Sequence, residues 1–255
     1  MPEFRPRKAL MNPELRRRGI YILPNLFTTG ALFAGFYAIV QAMNGQFAEA
    51  GVAIFVAMVL DGLDGRVARL TRTQSAFGAE YDSLSDMVSF GAAPALVVYE
   101  WALKGMGKLG WVAAFIYCVG AALRLARFNT NLGIVDKRYF QGLPSPAAAA
   151  LVAGLVWVMI DAGWTGQEAR WYACVLTIFA GVTMVSNVRY YSGKDINLRR
   201  SVPFMVVAAI ALGYALVSSY PAGVLFALFL GYALSGYVLT VVTWRSRRKG
   251  VARPE

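Results

Sequence analysis

Four aspartates dominate the stretch DGLDGRVARLTRTQSAFGAEYDSLSD, residues 61–86. Asp61 and Asp64 are three residues apart and Asp82 and Asp86 four apart, so on helices each pair shares one face. The polar connection TRTQSAFG (71–78) is short enough to make the two helices antiparallel neighbours, and the pairs can then converge on one site. Four close carboxylates repel one another unless a cation compensates, and a donor set of oxygen alone selects Mg²⁺, Mn²⁺ or Ca²⁺ over zinc or copper. Gly65 and Ala68 remove side-chain bulk beside the carboxylates, so a ligand can approach the backbone. Arg69 and Arg72 bring positive charge next to the negative site, as a phosphate-bearing substrate requires.

The elements that carry these residues belong to a membrane. The chain has 255 residues, of which 58% are hydrophobic and 15% charged, with a mean hydropathy of +0.50. That is too apolar for an ordinary soluble domain. Long apolar runs predict an all-α polytopic membrane protein of about eight spans. They lie at approximately 22–43, 47–70, 83–103, 109–130, 146–163, 169–189, 202–219 and 221–244. Asp61 then sits about 20 Å along the second span, short of its cytoplasmic end. An aspartate facing lipid costs about 2.5–3.5 kcal/mol, so the four must line a wet cavity walled by protein. Metal, phosphate and membrane together imply phosphoryl-type chemistry on a lipid.

Charge sets the orientation. With the N-terminus in the cytoplasm, 22 of the 25 Lys and Arg residues fall on cytoplasmic segments, against Lys104, Lys108 and Arg170 on the far side. This split supports eight spans with both termini inside, and it gives the net charge of +11 a partner in anionic phospholipid headgroups. The basic residues are dispersed between spans, which argues against nucleic acid as a partner. No cleavable signal peptide is expected. One membrane domain is expected over 21–245, preceded by a basic segment at 1–20 (an interfacial helix or a flexible tail) and followed by a basic tail at 246–255. The absence of histidine excludes imidazole catalysis and His-ligated metal. Cys118 and Cys174 lie within apolar runs and read as packing residues. A cation transporter would spread its acidic groups along several spans. Here four of 14 acidic residues cluster at one depth, with Glu100 and Asp161 near the far ends of their spans.

The pattern Asp61-x-x-Asp64-Gly65-x-x-Ala68-Arg69, eight residues, Gly78-x-x-x-Asp82-x-x-x-Asp86 resembles the full signature of the CDP-alcohol phosphotransferase family. The resemblance implies a core of six transmembrane helices, usually a homodimer, with the signature on helices two and three at the cytoplasmic side of the cell membrane. It implies transfer of a substituted phosphoryl group from a CDP-linked donor to an alcohol, with release of CMP. By the same resemblance Asp61, Asp64 and Asp82 would be the principal ligands of two divalent metals, Mg²⁺ or Mn²⁺. Asp86 would lie close to or bridge them and act as general base for the incoming hydroxyl. Gly65, Ala68 and Gly78 would accommodate cytidine and diphosphate, with Arg69 and Asn25 of LPNLFTTG near the nucleotide; Arg72 joins this CDP-lipid set through its charge.

The signature does not name the acceptor alcohol. Arg124 and Arg127, in LRLARFN, share one face at the end of the fourth span. They could grip a carboxylate bidentately, as a serine acceptor would present, or snorkel as membrane anchors. Ser145-Pro146, in YFQGLPSPAAA, reads as an N-cap followed by an N1 proline, a helix start able to face an anion or simply to begin a span. RLARFN (124–129), FQGLPSPAAA (140–149) and MVSNVRYYSGKDI (184–196) resemble the bacterial integral-membrane phosphatidylserine synthases, which share the eight-span layout. The implied substrates are CDP-diacylglycerol and L-serine. Arg124, Arg127, Asn129 and the Phe140–Ser145 loop with Gly142 and Pro144 would then shape the acceptor pocket, and Arg189 and Lys194 would make outlying phosphate or lid contacts. Phosphatidylglycerophosphate, phosphatidylinositol-type and phosphatidylcholine synthases are the alternatives within the family.

Overall fold

The computed structural model describes residues 13–130, 139–191 and 204–251. Helix α1 (Pro13–Met43) turns through Asn44–Gln46 into α2 (Phe47–Thr71). The two pack along their length because α1 offers Ala31, Ala34, Ala38 and Ala42 at intervals of three and four, all buried. Against them α2 buries Ala50, Ala53, Ile54 and Ala57. Small residues at this spacing let helix backbones approach closely where no water drives association.

The third membrane element is not a uniform helix. It runs as α3 (Ala76–Asp86), a π-helical turn (Met87–Ala92), α4 (Ala93–Val98), a second π segment (Tyr99–Leu103) and a 3₁₀ turn (Lys104–Met106). Pro94 has no N–H to give the carbonyl of Phe90, four residues earlier. The fully buried Tyr117 hydroxyl donates to that carbonyl instead, at 2.9 Å. The same turn is fastened to α1, where the Ser89 hydroxyl donates to the Ala31 carbonyl at 3.0 Å.

Helix α5 (Lys108–Thr130) crosses α7 (Gly166–Val185) at Gly120 and Gly181. A Cβ on either glycine would meet the backbone of the other helix, so the crossing requires both. Between them in sequence, α6 (Ser145–Asp161) packs against α2, α4, α7 and α9 and buries every residue from Ala147 to Val156. A helix apolar on all sides belongs in the centre of a bundle. Thr165 and Glu168 form a capping box at the start of α7, and the Thr165 backbone N–H holds the Glu168 carboxyl below its usual range. Helices α8 (Phe204–Ser219) and α9 (Pro221–Val251) complete the described chain.

The all-α expectation needs one correction. A two-stranded antiparallel sheet joins β1 (Tyr139–Gln141) to β2 (Arg189–Tyr191), pairing Phe140 with Tyr190 and Gln141 with Arg189. The segments before α6 and after α7 run side by side, and their aromatic residues suit a strand. Tyr190 is buried, and its hydroxyl donates to the Ala233 carbonyl of α9 at 2.8 Å.

Three stretches among the described residues are long and apolar enough to cross a membrane by length and composition: Pro24–Met43, Lys108–Thr130 and Pro221–Val242. Helix α6 is apolar but has only 17 residues, and α2 carries two aspartates and two arginines in its second half. Large apolar side chains stand exposed around the bundle, including Phe33 (68%), Trp111 (58%) and Val175 (66%). So much outward-facing apolar surface belongs against lipid. The chain is a mostly helical, multi-pass membrane protein. Both cysteines are free, Cys174 buried and Cys118 half-buried.

Candidate active site

The end of α2 and the start of α3 form a tight helical hairpin. Arg72 takes a left-handed conformation (φ 55°) as the C-cap of α2, and the Thr73 N–H donates back to the Ala68 carbonyl at 3.0 Å. Ser75 caps α3, its hydroxyl accepting from the Gly78 N–H at 3.0 Å. This connection sets Asp82 opposite Asp61 and Asp64, and one carboxylate oxygen from each lies within 4.8 Å of the others. Asp64 is buried at 6% exposure. Asp86, one turn after Asp82, stands against Asp61 on the side of Arg124. The Oδ1 atoms of Asp82 and Asp86 are buried without a donor. Among the described residues no lysine or arginine forms an ion pair with any of the four. An oxygen-only cluster with unpaired buried acceptors is the donor set of a hard divalent cation, so these residues fit the metal implied by their spacing.

A cavity of about 340 Å³ opens beside the cluster. Its walls come from α1 (Asn25, Thr28), α2 (Asp64, Gly65, Ala68, Arg69) and α3 (Gly78, Asp82). Nothing stands within 4 Å of where a Gly65 Cβ would be, whereas the Asn25 side-chain oxygen lies 3.5 Å from the corresponding point at Gly78. Of the residues read from sequence as contacts of the CDP-lipid, Arg72 is outside this wall, exposed at the helix cap, and Asp61 is outside it too, beside Asp86.

The residues read as an acceptor pocket divide into two groups. Arg124 donates to the buried Ser145 hydroxyl at 2.6 Å, lies 5.7 Å from the Phe128 ring centre, and is near enough to Asp86 and Asp61 to feel their charge. Asn129 donates to Ser83 Oγ at 3.1 Å, on α3 next to Asp82 in sequence. Arg127 points elsewhere, donating to the Val185 and Ser186 carbonyls at 3.2 and 3.3 Å and to Asn187 Oδ1 at 3.1 Å, where it satisfies the C-terminal end of α7. The Phe140–Ser145 loop is bolted to the end of α7: the Gly142 N–H donates to Val188 O and the Leu143 N–H to Thr183 O. Gly142 has φ 78°, and a side chain there would collide with the Met184 carbonyl. Pro144, not Ser145, is the N-cap of α6; Ser145 is already helical, and its hydroxyl accepts from Arg124 rather than capping. Arg189 is exposed on β2 opposite Gln141, and Lys194 lies outside the described residues.

Residues 21–183 match the sequence model of the CDP-alcohol phosphatidyltransferases, well over half of the chain. The chain belongs to the CDP-alcohol phosphatidyltransferase family. Curated relatives share this similarity over most of their length. A Helicobacter pylori protein is 38% identical over 195 residues, covering 76% of this chain and 81% of its own. One from Mycobacterium leprae is 34% identical over 226 residues (86% and 75%), and one from Methanocaldococcus jannaschii 37% over 166 residues (64% and 71%). Each is named CDP-diacylglycerol-serine O-phosphatidyltransferase.

The phosphatidyltransferase segment runs from α1 into the last turn of α7 and contains all four aspartates and both groups of acceptor candidates. Sequence reading missed several of its contacts. Thr28 donates to Asp64 Oδ2 at 2.6 Å, and Thr29 shares a 2.9 Å hydrogen bond with the Tyr81 hydroxyl. The polar pair in LPNLFTTG was the available signal, since two hydroxyls beside an asparagine are out of place on a purely lipid-facing turn. Tyr232 of α9 approaches Arg124 from beyond the family segment, and no local pattern marks it.

Proposed function

We propose that this chain transfers the phosphatidyl group of CDP-diacylglycerol to L-serine, giving phosphatidylserine and CMP. The carboxylate cluster opening onto a cavity between α1, α2 and α3 is the observation that carries the chemistry. The serine acceptor is supported by relatives at 33–38% identity that are named CDP-diacylglycerol-serine O-phosphatidyltransferases. Asn25, Arg69, Gly65, Ala68 and Gly78 receive the cytidine and diphosphate, and Arg72 adds positive charge at the rim. Asp61, Asp64 and Asp82 hold divalent cations, Mg²⁺ or Mn²⁺ and two per site, with Asp86 beside them. When bound, such ions neutralise the diphosphate and the departing CMP oxygen.

Asp86 accepts the proton of the serine hydroxyl as that oxygen forms its bond to the lipid-bearing phosphorus. The bond from that phosphorus to the CMP oxygen breaks in the same in-line displacement. Arg124, steered by its bond to Ser145, grips the serine carboxylate and so sets the hydroxyl near Asp86. Asn129 holds the neighbouring Ser83, and the Phe140–Ser145 loop with Gly142 and Pro144 walls the acceptor side. Arg127 supports this wall through the end of α7.

The enzyme we propose spans the cell membrane eight times around a six-helix core, within one domain over 21–245. Both ends and the site face the cytoplasm, where 22 of its 25 basic residues meet phospholipid headgroups. It works as a homodimer. The test is an acceptor panel: purified protein, CDP-diacylglycerol and labelled serine, glycerol 3-phosphate, inositol or choline in turn. A lipid product with serine alone is expected. A product formed only with glycerol 3-phosphate would overturn the serine assignment and leave the family chemistry standing.

A further inference from the structure

Thr28 is buried in α1, carries no charge and lies outside the aspartate signature, yet it touches both helices that bear the carboxylates. Its hydroxyl lies 2.6 Å from Asp64 Oδ2 and 3.2 Å from the Pro24 carbonyl. One hydroxyl proton serves only one of these well. The shorter contact has the length of a hydroxyl bound to an ionised carboxylate, roughly 2.5–2.7 Å, and takes it. The Thr28 carbonyl in turn accepts from the Ser85 hydroxyl at 3.1 Å. Ser85 sits on α3 between Asp82 and Asp86. A single residue thus ties Asp64 of α2 and the carboxylate-bearing turn of α3 to one point on α1.

We propose that Thr28 is the positioning residue of the cation site: its hydroxyl holds Asp64 in the orientation that gathers its carboxylate with those of Asp61 and Asp82. A carboxylate has about four lone-pair positions, so the bond to Thr28 leaves capacity for a cation. Partners of metal ligands fix ligand orientation, and their loss typically lowers metal affinity about 10–100-fold. This inference rests on the metal reading of the cluster.

The test is Mn²⁺ titration of purified, EDTA-stripped protein without lipid substrate, with free Mn²⁺ followed by electron paramagnetic resonance. Thr28→Val, which keeps the shape and removes the hydroxyl, is expected to weaken Mn²⁺ binding about 10–100-fold. Thr28→Ser, which keeps the hydroxyl, is expected to bind within about threefold of the wild type, a difference worth less than about 0.7 kcal/mol. Thr28→Ala supplies the same comparison if the valine variant does not fold. Wild-type affinity in the variants lacking the hydroxyl would overturn the proposal while leaving the metal reading intact. Equal loss in Thr28→Ser would overturn it too, because the effect would then follow bulk and not the hydroxyl. A wild-type protein that binds no Mn²⁺ would remove the metal reading itself and this inference with it.

Discussion

Asp86 carries a buried oxygen without a donor, beside Asp61 and in the field of Arg124. It stands outside the trio Asp61, Asp64 and Asp82 that gather their oxygens within 4.8 Å. Asp86→Asn keeps the volume and removes the base. We expect it to bind CDP-diacylglycerol with affinity close to the wild type and to lose about 10²–10⁴-fold in turnover, the usual worth of general base catalysis. Equilibrium binding of the CDP-lipid and single-turnover rates check the two halves separately, and near wild-type turnover would remove Asp86 as base. The aspartates were legible because a carboxylate in an apolar helix has few reasons to be there, and spacings of three and four fix a shared face. Thr28 was not, because a lone hydroxyl in a membrane helix can satisfy itself on its own backbone, and only the fold shows that it reaches Asp64 instead. Arg127 shows the converse: its spacing from Arg124 puts both on one face, yet three acceptors at the end of α7 draw it away from the site.

At the scale of elements, hydropathy located the helices well, since α2 (Phe47–Thr71), α5 (Lys108–Thr130) and α8 (Phe204–Ser219) nearly coincide with the apolar runs. It did not show the π turn after Asp86, although Pro94 was its signal. That turn shifts the helix register just beyond the carboxylates, and π turns of this kind recur at functional sites. Tyr117→Phe removes the hydroxyl that donates to the buried Phe90 carbonyl, which Pro94 cannot serve. We expect a loss of about 1–3 kcal/mol in stability, measured as a lowered unfolding midpoint in detergent. An unchanged midpoint would mean that the π turn holds without the tyrosine. The small sheet escaped the sequence because three-residue strands flanking long helices leave no periodicity to detect; the register of Phe140 against Tyr190 is a tertiary fact.

At the scale of the molecule, the apolar bundle and the acidic cluster explain each other. The helices supply a frame whose exposed Phe33, Trp111 and Val175 suit the bilayer, and that frame sets the cluster against a cavity walled by α1, α2 and α3. A net charge of +11 on so apolar a chain suits a surface of anionic headgroups. In the function we propose, this frame holds cations on Asp61, Asp64 and Asp82 to move a phosphatidyl group from CMP to serine. The most direct measurement follows CMP and phosphatidylserine together from CDP-diacylglycerol and serine, first with EDTA and then with Mg²⁺ or Mn²⁺ restored. We expect one CMP per phosphatidylserine, no turnover in EDTA, and recovery with either ion. Full turnover in EDTA would remove the cations from the reaction, and CMP released without any serine lipid would remove the transfer to serine.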